Sequence, residues 1–206
     1  DTIEHSTALM WIGGGAKDDE LPEKPGQVLE RTALLTRSVA AEIHNVPNQP
    51  LSFVGDDHGP RFEDAIIAYG WRKFLEAGGS DEDAEWLARL PMTKSVVRAM
   101  DAVAETVSKE TDAAVDHYVV AGGSKRGWTT WTTGAVDDRV VAMVPIVIDM
   151  LNLVPSFEHH WRNYGFWAPA VGDYVEEGIM DWMRKPEFER LLDITEPYSY
   201  LDRFHM

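Results

Sequence analysis

The chain contains no cysteine. That absence excludes disulfides, thiolate nucleophiles and Cys-ligated zinc, while leaving the redox compartment open. Long apolar runs are missing too. Nothing approaches the ~18 residues that cross a bilayer, so membrane insertion is not expected, and no signal peptide opens the chain, which by itself fixes no compartment. Positive charge is scarce: 19 Lys+Arg stand against 35 Asp+Glu, a net charge of -16. A surface of that sign repels polyphosphate, so nucleic acid and anionic membranes are not expected partners. There is no internal repeat, low-complexity run or inter-domain linker. A Gly-x-Gly-x-x-Gly fingerprint is also absent, because Asp18 stands where its last glycine belongs, and dinucleotide binding is not expected.

What is present fits a soluble globular chain. The 206 residues, 44% hydrophobic and 26% charged, suffice for one sizeable core or a core with a small insertion. The most informative stretch is His117 to Trp131. Tyr118-Val119-Val120-Ala121 reads as a buried strand of a parallel sheet. It runs into Gly122-Gly123-Ser124-Lys125-Arg126-Gly127, and Trp128 to Thr133 reads as a helix. Strand, sharp glycine turn with a central serine, then helix is the setting of a nucleophile elbow, where close neighbours must be small. Gly122 and Gly127 meet that need. Arg126 does not, since the strict Gly-x-Ser-x-Gly pattern has glycine there, so a plain glycine-rich turn or a phosphate-binding loop stays open on local pattern alone.

Upstream, Ala8 to Ile12 reads as a strand closed by Gly13-Gly14-Gly15, either an oxyanion loop or a flexible turn. Leu35, Val39 and Ile43, four apart, predict a helix over 28–43, and Leu51 to Val54 predicts the next strand. Phe62 to Glu76 is a predicted helix burying Phe62, Ile66, Tyr69 and Phe74. The residues Asp56, Asp57, His58, Glu63 and Asp64 invite a metal reading, but they lack a calcium-loop spacing and their carboxylates also suit a helix start; no metal or other cofactor is expected. Pro91 opens a longer helix carrying Val96, Met100, Val103 and Val107. Arg139 to Asp149 is a predicted buried strand, with Pro145 requiring an edge or a distortion. Asp149, at its C-terminal end, is a candidate acid or a cap. From 151 to 195 the chain is rich in aromatics without a clean period and reads as a helical insertion capping the site. Within it His159, His160, Trp161 and Arg162 are candidate substrate-binding residues, Arg162 for a carboxylate; aromatic packing is the competing reading of the histidines.

The segments GGSKRGWTTW, GAVDDRV, VPIVIDMLN, HHWRNYGFWAPAVGDY and EPYSYLDR, with EDAIIAY and EWLARLPMTKSVVRAMD upstream, span nearly the whole chain. Together they closely resemble the PhoPQ-activated pathogenicity-related family. The resemblance implies an α/β fold of α/β-hydrolase type, with a mostly parallel central sheet, helices on both faces and Ser124 as nucleophile. The elbow also resembles that of glucuronoyl esterases, in which a basic residue after the serine helps hold the oxyanion; Lys125 occupies that position here. The implied division is a hydrolase core over 1–150, a helical cap over 151–195 and a return to the sheet over 196–206. Family members continue past the equivalent of Met206 through strands carrying an acid and a histidine, so the sheet is expected to be incomplete. A complementing C-terminal segment is expected to supply those partners, and this chain alone is expected to hydrolyse nothing well. The expected activity is hydrolysis of a small-molecule ester or a peptide, as an esterase or a peptidase, in an extracytoplasmic compartment. A secreted, non-enzymatic signalling protein on the same fold is the alternative.

Overall fold

The computed structural model describes residues 2–149 and 151–204. In chain order the elements are β1 (Thr7–Ile12), α1 (Gln27–Thr36), β2 (Ala40–Ile43), α2 (Glu63–Ala77), α3 (Arg89–Glu110), β3 (His117–Gly123), α4 (Lys125–Val136), β4 (Val140–Ile146), α5 (Leu153–Tyr164), α6 (Gly172–Glu176) and α7 (Pro186–Thr195), with short 3₁₀ turns between several of them. The chain forms two compact units, one of Asp1–Asn48, Met92–Ile148 and Asp202–Met206, the other of Gln49–Pro91 and Asp149–Leu201. The second unit thus draws in a segment that the sequence groups with the core.

The first unit is of the α/β class, a parallel four-stranded sheet in the order β2-β1-β3-β4 with helices packed around it. Alternation in β1 sends Ala8, Met10 and Ile12 into the core, and β3 adds Tyr118, Val120 and Ala121. Being central, β3 is apolar on both sides, as parallel strands are. The Tyr118 hydroxyl donates to the Met100 carbonyl at 2.6 Å, which satisfies a buried phenol and ties α3 to the sheet. Burial raises that phenol's pKa. In α4, four threonines return their hydroxyls to the preceding turn or to α3. Thr129 donates to the Lys125 carbonyl at 3.1 Å, Thr133 to the Thr129 carbonyl at 2.7 Å, and Thr132 pairs with Thr93 of α3 at 2.7 Å.

Three expectations are corrected here. The predicted helix over 28–43 stops at Thr36, because Arg37 turns left-handed (φ 51°, ψ 39°) and the small and β-branched residues after it extend as β2. Leu35, one of the three spacing residues, is 79% exposed. The predicted strand at Leu51 to Val54 shrinks to one antiparallel bridge between Leu51 and Arg61, and Val54 lies in solvent. The second strand of the first βαβ unit is therefore β2. Finally, β4 is an edge strand, as Pro145 requires, rather than a buried one: Val141, Val144 and Ile146 are exposed.

The second unit packs around α2. Ile66, Ile67, Trp71, Phe74 and Leu75 are buried, whereas Phe62, predicted to join them, precedes the helix and is half exposed. Trp71 meets the Tyr174 and Phe188 rings edge-on at 5.2 and 6.2 Å. Gly70 lets the 3₁₀ turn Glu82–Trp86 lie directly on α2, since a Cβ there would collide with the Trp86 carbonyl oxygen.

Arg61, 4% exposed, is the polar centre of this unit. Its Nε donates to Asp56 at 2.6 Å and its Nη1 to Glu177 at 2.7 Å, and Arg72 Nε reaches the other Glu177 oxygen at 2.5 Å. The Arg61 guanidinium holds the Asp56 carboxyl below the usual range. The residues of the metal reading are engaged elsewhere: Glu63 accepts from Gln49 Nε2 at 2.8 Å, and Asp64 accepts from the Tyr174 hydroxyl at 3.2 Å. Burial drives the Tyr174 phenol well up. Among the described residues no group of three or more His, Asp or Glu side chains is placed to share a metal ion.

Candidate nucleophile elbow

Ser124 joins β3 to α4 with φ 54° and ψ -124°. For a residue with a Cβ this is a sparsely populated region, costing on the order of 1–3 kcal/mol and held only when surrounding structure over-determines it. Two constraints impose it. The Ser124 N–H donates to the Ile146 carbonyl of β4 at 2.8 Å, and its own carbonyl accepts the Trp128 N–H at 3.0 Å to start the helix. The chain must therefore leave a central strand and enter a helix within one residue.

That reversal brings backbones very close. A Cβ on Gly122 would sit 2.7 Å from the Arg126 carbonyl oxygen, and one on Gly127 would sit 2.9 Å from the Gly122 oxygen and 3.1 Å from the Ile146 N. The 2.7 and 2.9 Å contacts are shorter than real Cβ atoms adopt against backbone, so both positions need glycine. The second glycine thus works three residues after the serine instead of two.

Serine at a helix start ordinarily turns its hydroxyl back to cap the first turn. Ser124 does not: it makes no side-chain cap bond, and it is exposed. Lys125 follows at the first position of α4, with its side chain buried. The first turn of a helix offers N–H groups that the helical ladder does not use, at the positive end of the macrodipole. A negative charge developing beside Ser124 Oγ meets that end of α4.

The pairing of Ile12 with Gly122 places the turn after β1 and the turn after β3 at the same end of adjacent parallel strands, the C-terminal end where open α/β sheets bind ligands. Gly13, Gly14 and Gly15 form the first of these turns. Gly13 donates its N–H to the Ile43 carbonyl at 2.8 Å, and its carbonyl and that of Gly14 accept from Val46 and Asn45 at 3.2 and 2.9 Å. Gly15 has φ 118°, a conformation for glycine. The loop is thus hydrogen-bonded in place rather than flexible.

Arg126, the residue out of pattern, reaches this loop. Its Nε donates to the Val46 carbonyl at 2.5 Å, and its Nη2 lies 2.7 Å from where a Gly14 Cβ would be. Sequence reasoning passed over Arg126 as a departure from a motif. The available signal was a long donor-rich side chain at a site where only its backbone must be small.

The other candidates belong to the second unit. Asp149 is exposed. On α5, His160 Nε2 accepts the Ala168 N–H at 3.2 Å and its ring lies parallel to Trp167 with centroids 6.0 Å apart, so His160 closes an aromatic corner. His159 is exposed. Trp161 and Arg162 border a cleft of about 440 Å³ together with Trp167, Met180 and Met183, and Glu158 there takes bonds from both Arg162 (3.3 Å) and Arg184 (3.1 Å).

Comparison with known proteins adds the following. The model of the family described as PhoPQ-activated pathogenicity-related protein matches residues 1–206. Autocrine proliferation repressor protein A of Dictyostelium discoideum is 43% identical over 205 residues, which is 99% of this chain and 40% of the relative. The chain therefore spans less than half the length of that curated relative. No solved structure matches.

Proposed function

The chain belongs to the PhoPQ-activated pathogenicity-related family, and on that footing we propose that it carries the nucleophile of a serine hydrolase of α/β-hydrolase architecture acting on a carboxylic ester or amide. One observation carries the reading: the uncapped, exposed Ser124 hydroxyl on a strained residue between β3 and α4. In the reaction, Ser124 Oγ attacks the carbonyl carbon and the carbonyl oxygen takes the electron pair. The Lys125 N–H, at the head of α4, and the Gly14–Gly15 side of the neighbouring loop stabilise that oxyanion. The hydroxyl proton passes to a base, in this class a histidine oriented by a carboxylate, and returns to the leaving alcohol or amine. Water then releases the acyl group by the same steps. Within the second unit, Trp161 and Arg162 border a cleft of ligand size and are proposed to bind a ligand there.

The test is hydrolysis of 4-nitrophenyl acetate by the protein at its natural length. Ser124→Ala abolishes turnover on this reading, and retained turnover overturns it. A second reading has one observation behind it, the repressor name of the 43% identical relative: a secreted signalling protein that binds a receptor through this fold. In that case Ser124→Ala leaves repression of cell proliferation intact.

A further inference from the structure

We propose that Arg126 is a positioning residue that clamps the Gly13–Gly15 loop to the elbow and so sets the oxyanion geometry. The proposal rests on the hydrolase reading above and extends it to a residue outside the motif. A strict elbow has glycine at this position because the backbone there touches the strand. Here the backbone contact is kept, with the Arg126 carbonyl oxygen 2.7 Å and its Cβ 2.9 Å from a would-be Gly122 Cβ, and the rest of the side chain runs on past it. It crosses to the turn after β1, where Nε holds the Val46 carbonyl at 2.5 Å and Nη2 lies against Gly14.

Val46 is not a passive anchor. Its N–H donates to the Gly13 carbonyl at 3.2 Å, and the neighbouring Asn45 N–H donates to that of Gly14 at 2.9 Å. One guanidinium, carried on the first turn of the same helix that presents Lys125, therefore holds the Asn45–Val46 segment whose N–H groups pin Gly13 and Gly14. The two halves of the proposed oxyanion site, the head of α4 and the glycine loop, are joined by this side chain. At position 14, where φ is not positive, the atoms a side chain would meet first are those of this guanidinium. A methyl group there would displace the guanidinium.

A double-mutant cycle on the natural-length protein tests this, with 4-nitrophenyl acetate as substrate and a phenylboronic acid as tetrahedral analogue. Arg126→Met is expected to lower kcat about 10–100-fold, the scale of misplacing rather than deleting an oxyanion donor, with KM nearly unchanged and boronate affinity falling by a similar factor. Arg126→Lys, which can still reach Val46, recovers part of the loss. Gly14→Ala alone costs a similar factor, but in the Arg126→Met background it adds little, because the colliding group has gone. Circular dichroism melts identify variants that fail to fold, and the cycle is read from the variants that melt like wild type. Unchanged kcat in folded Arg126→Met, or additive losses in the double variant, overturns the proposal. Ser124→Ala is run alongside: if it retains activity, the hydrolase reading fails, whereas loss there with an unaffected Arg126→Met refutes the clamp alone.

Discussion

The strain at Ser124 makes a quantitative prediction that is independent of substrate. Mirrored through the origin, φ 54° and ψ -124° become ordinary extended backbone, so glycine adopts this conformation without penalty whereas any residue with a Cβ is strained there. Relieving the strain is worth about 1–3 kcal/mol. Glycine returns about 0.5–1 kcal/mol of that through its greater unfolded-state freedom. Deleting the hydroxyl itself costs nothing appreciable, since it is exposed and caps no helix. Ser124→Gly is therefore expected to stabilise the fold by up to about 2.5 kcal/mol, about 1 kcal/mol at mid-range, a shift of a few degrees in melting temperature for a chain of this size. Ser124→Ala keeps the Cβ and should stay within about 0.5 kcal/mol of wild type. Urea unfolding followed by far-UV circular dichroism orders the three proteins. If Ser124→Gly unfolds at or below Ser124→Ala, the residue is not strained, and the case for an elbow under tension falls with it.

Two further perturbations follow from the polar interior. Arg61→Ala leaves Asp56 without its cation and Glu177 with Arg72 alone, so it is expected to destabilise by about 3 kcal/mol, the low end for breaking a buried pair, read from the urea midpoint; a loss under 1 kcal/mol would show that water replaces the guanidinium. The pH dependence has two opposing parts. Bonds from Arg139, 2.9 Å from Nε and 2.6 Å from Nη2, hold the Asp137 carboxyl below its ordinary value of 3.8, so this pair stabilises fully above about pH 4 and is lost as pH falls through the folded-state value. Asp137→Asn should lower stability at pH 7 and flatten the acid limb. Glu196 has the opposite sign. Burial raises its carboxyl above 4.5 while it accepts the Leu153 N–H at the head of α5, so its ionisation costs stability as pH rises through the window above 4.5. Glu196→Gln should remove that slope, and an unchanged urea-midpoint profile between pH 4 and 7 would contradict the assignment.

The strand, turn and helix around Ser124 were legible because their constraint is local. A strand pattern, small residues on either side of a serine and a helix pattern all lie within a few residues, and Gly122 and Gly127 are glycine for the reason the motif implies. The glycine turn after β1 was legible as a turn, but not its partner: the Val46 carbonyl and Arg126 lie 80 residues apart and no periodicity joins them. The same holds for Arg61 and Glu177, 116 residues apart, which no local pattern joins and which together form the polar core of one unit. The misread helix over 28–43 failed on one backbone angle. Leu35, Val39 and Ile43 have helical spacing, yet Arg37 turns left-handed between them and the last of them lies on an edge strand. Periodicity cannot register a break at a residue that carries no breaker signal.

The central claim is that Ser124 is a nucleophile, and covalent capture tests it most directly. A fluorophosphonate is incubated with the protein at its natural length, and the adduct is mapped by peptide mass spectrometry. The account predicts a single phosphonylated residue, Ser124, with labelling abolished in Ser124→Ala and slowed in Arg126→Met. Labelling at another serine, or none at Ser124 in a folded protein, would contradict it.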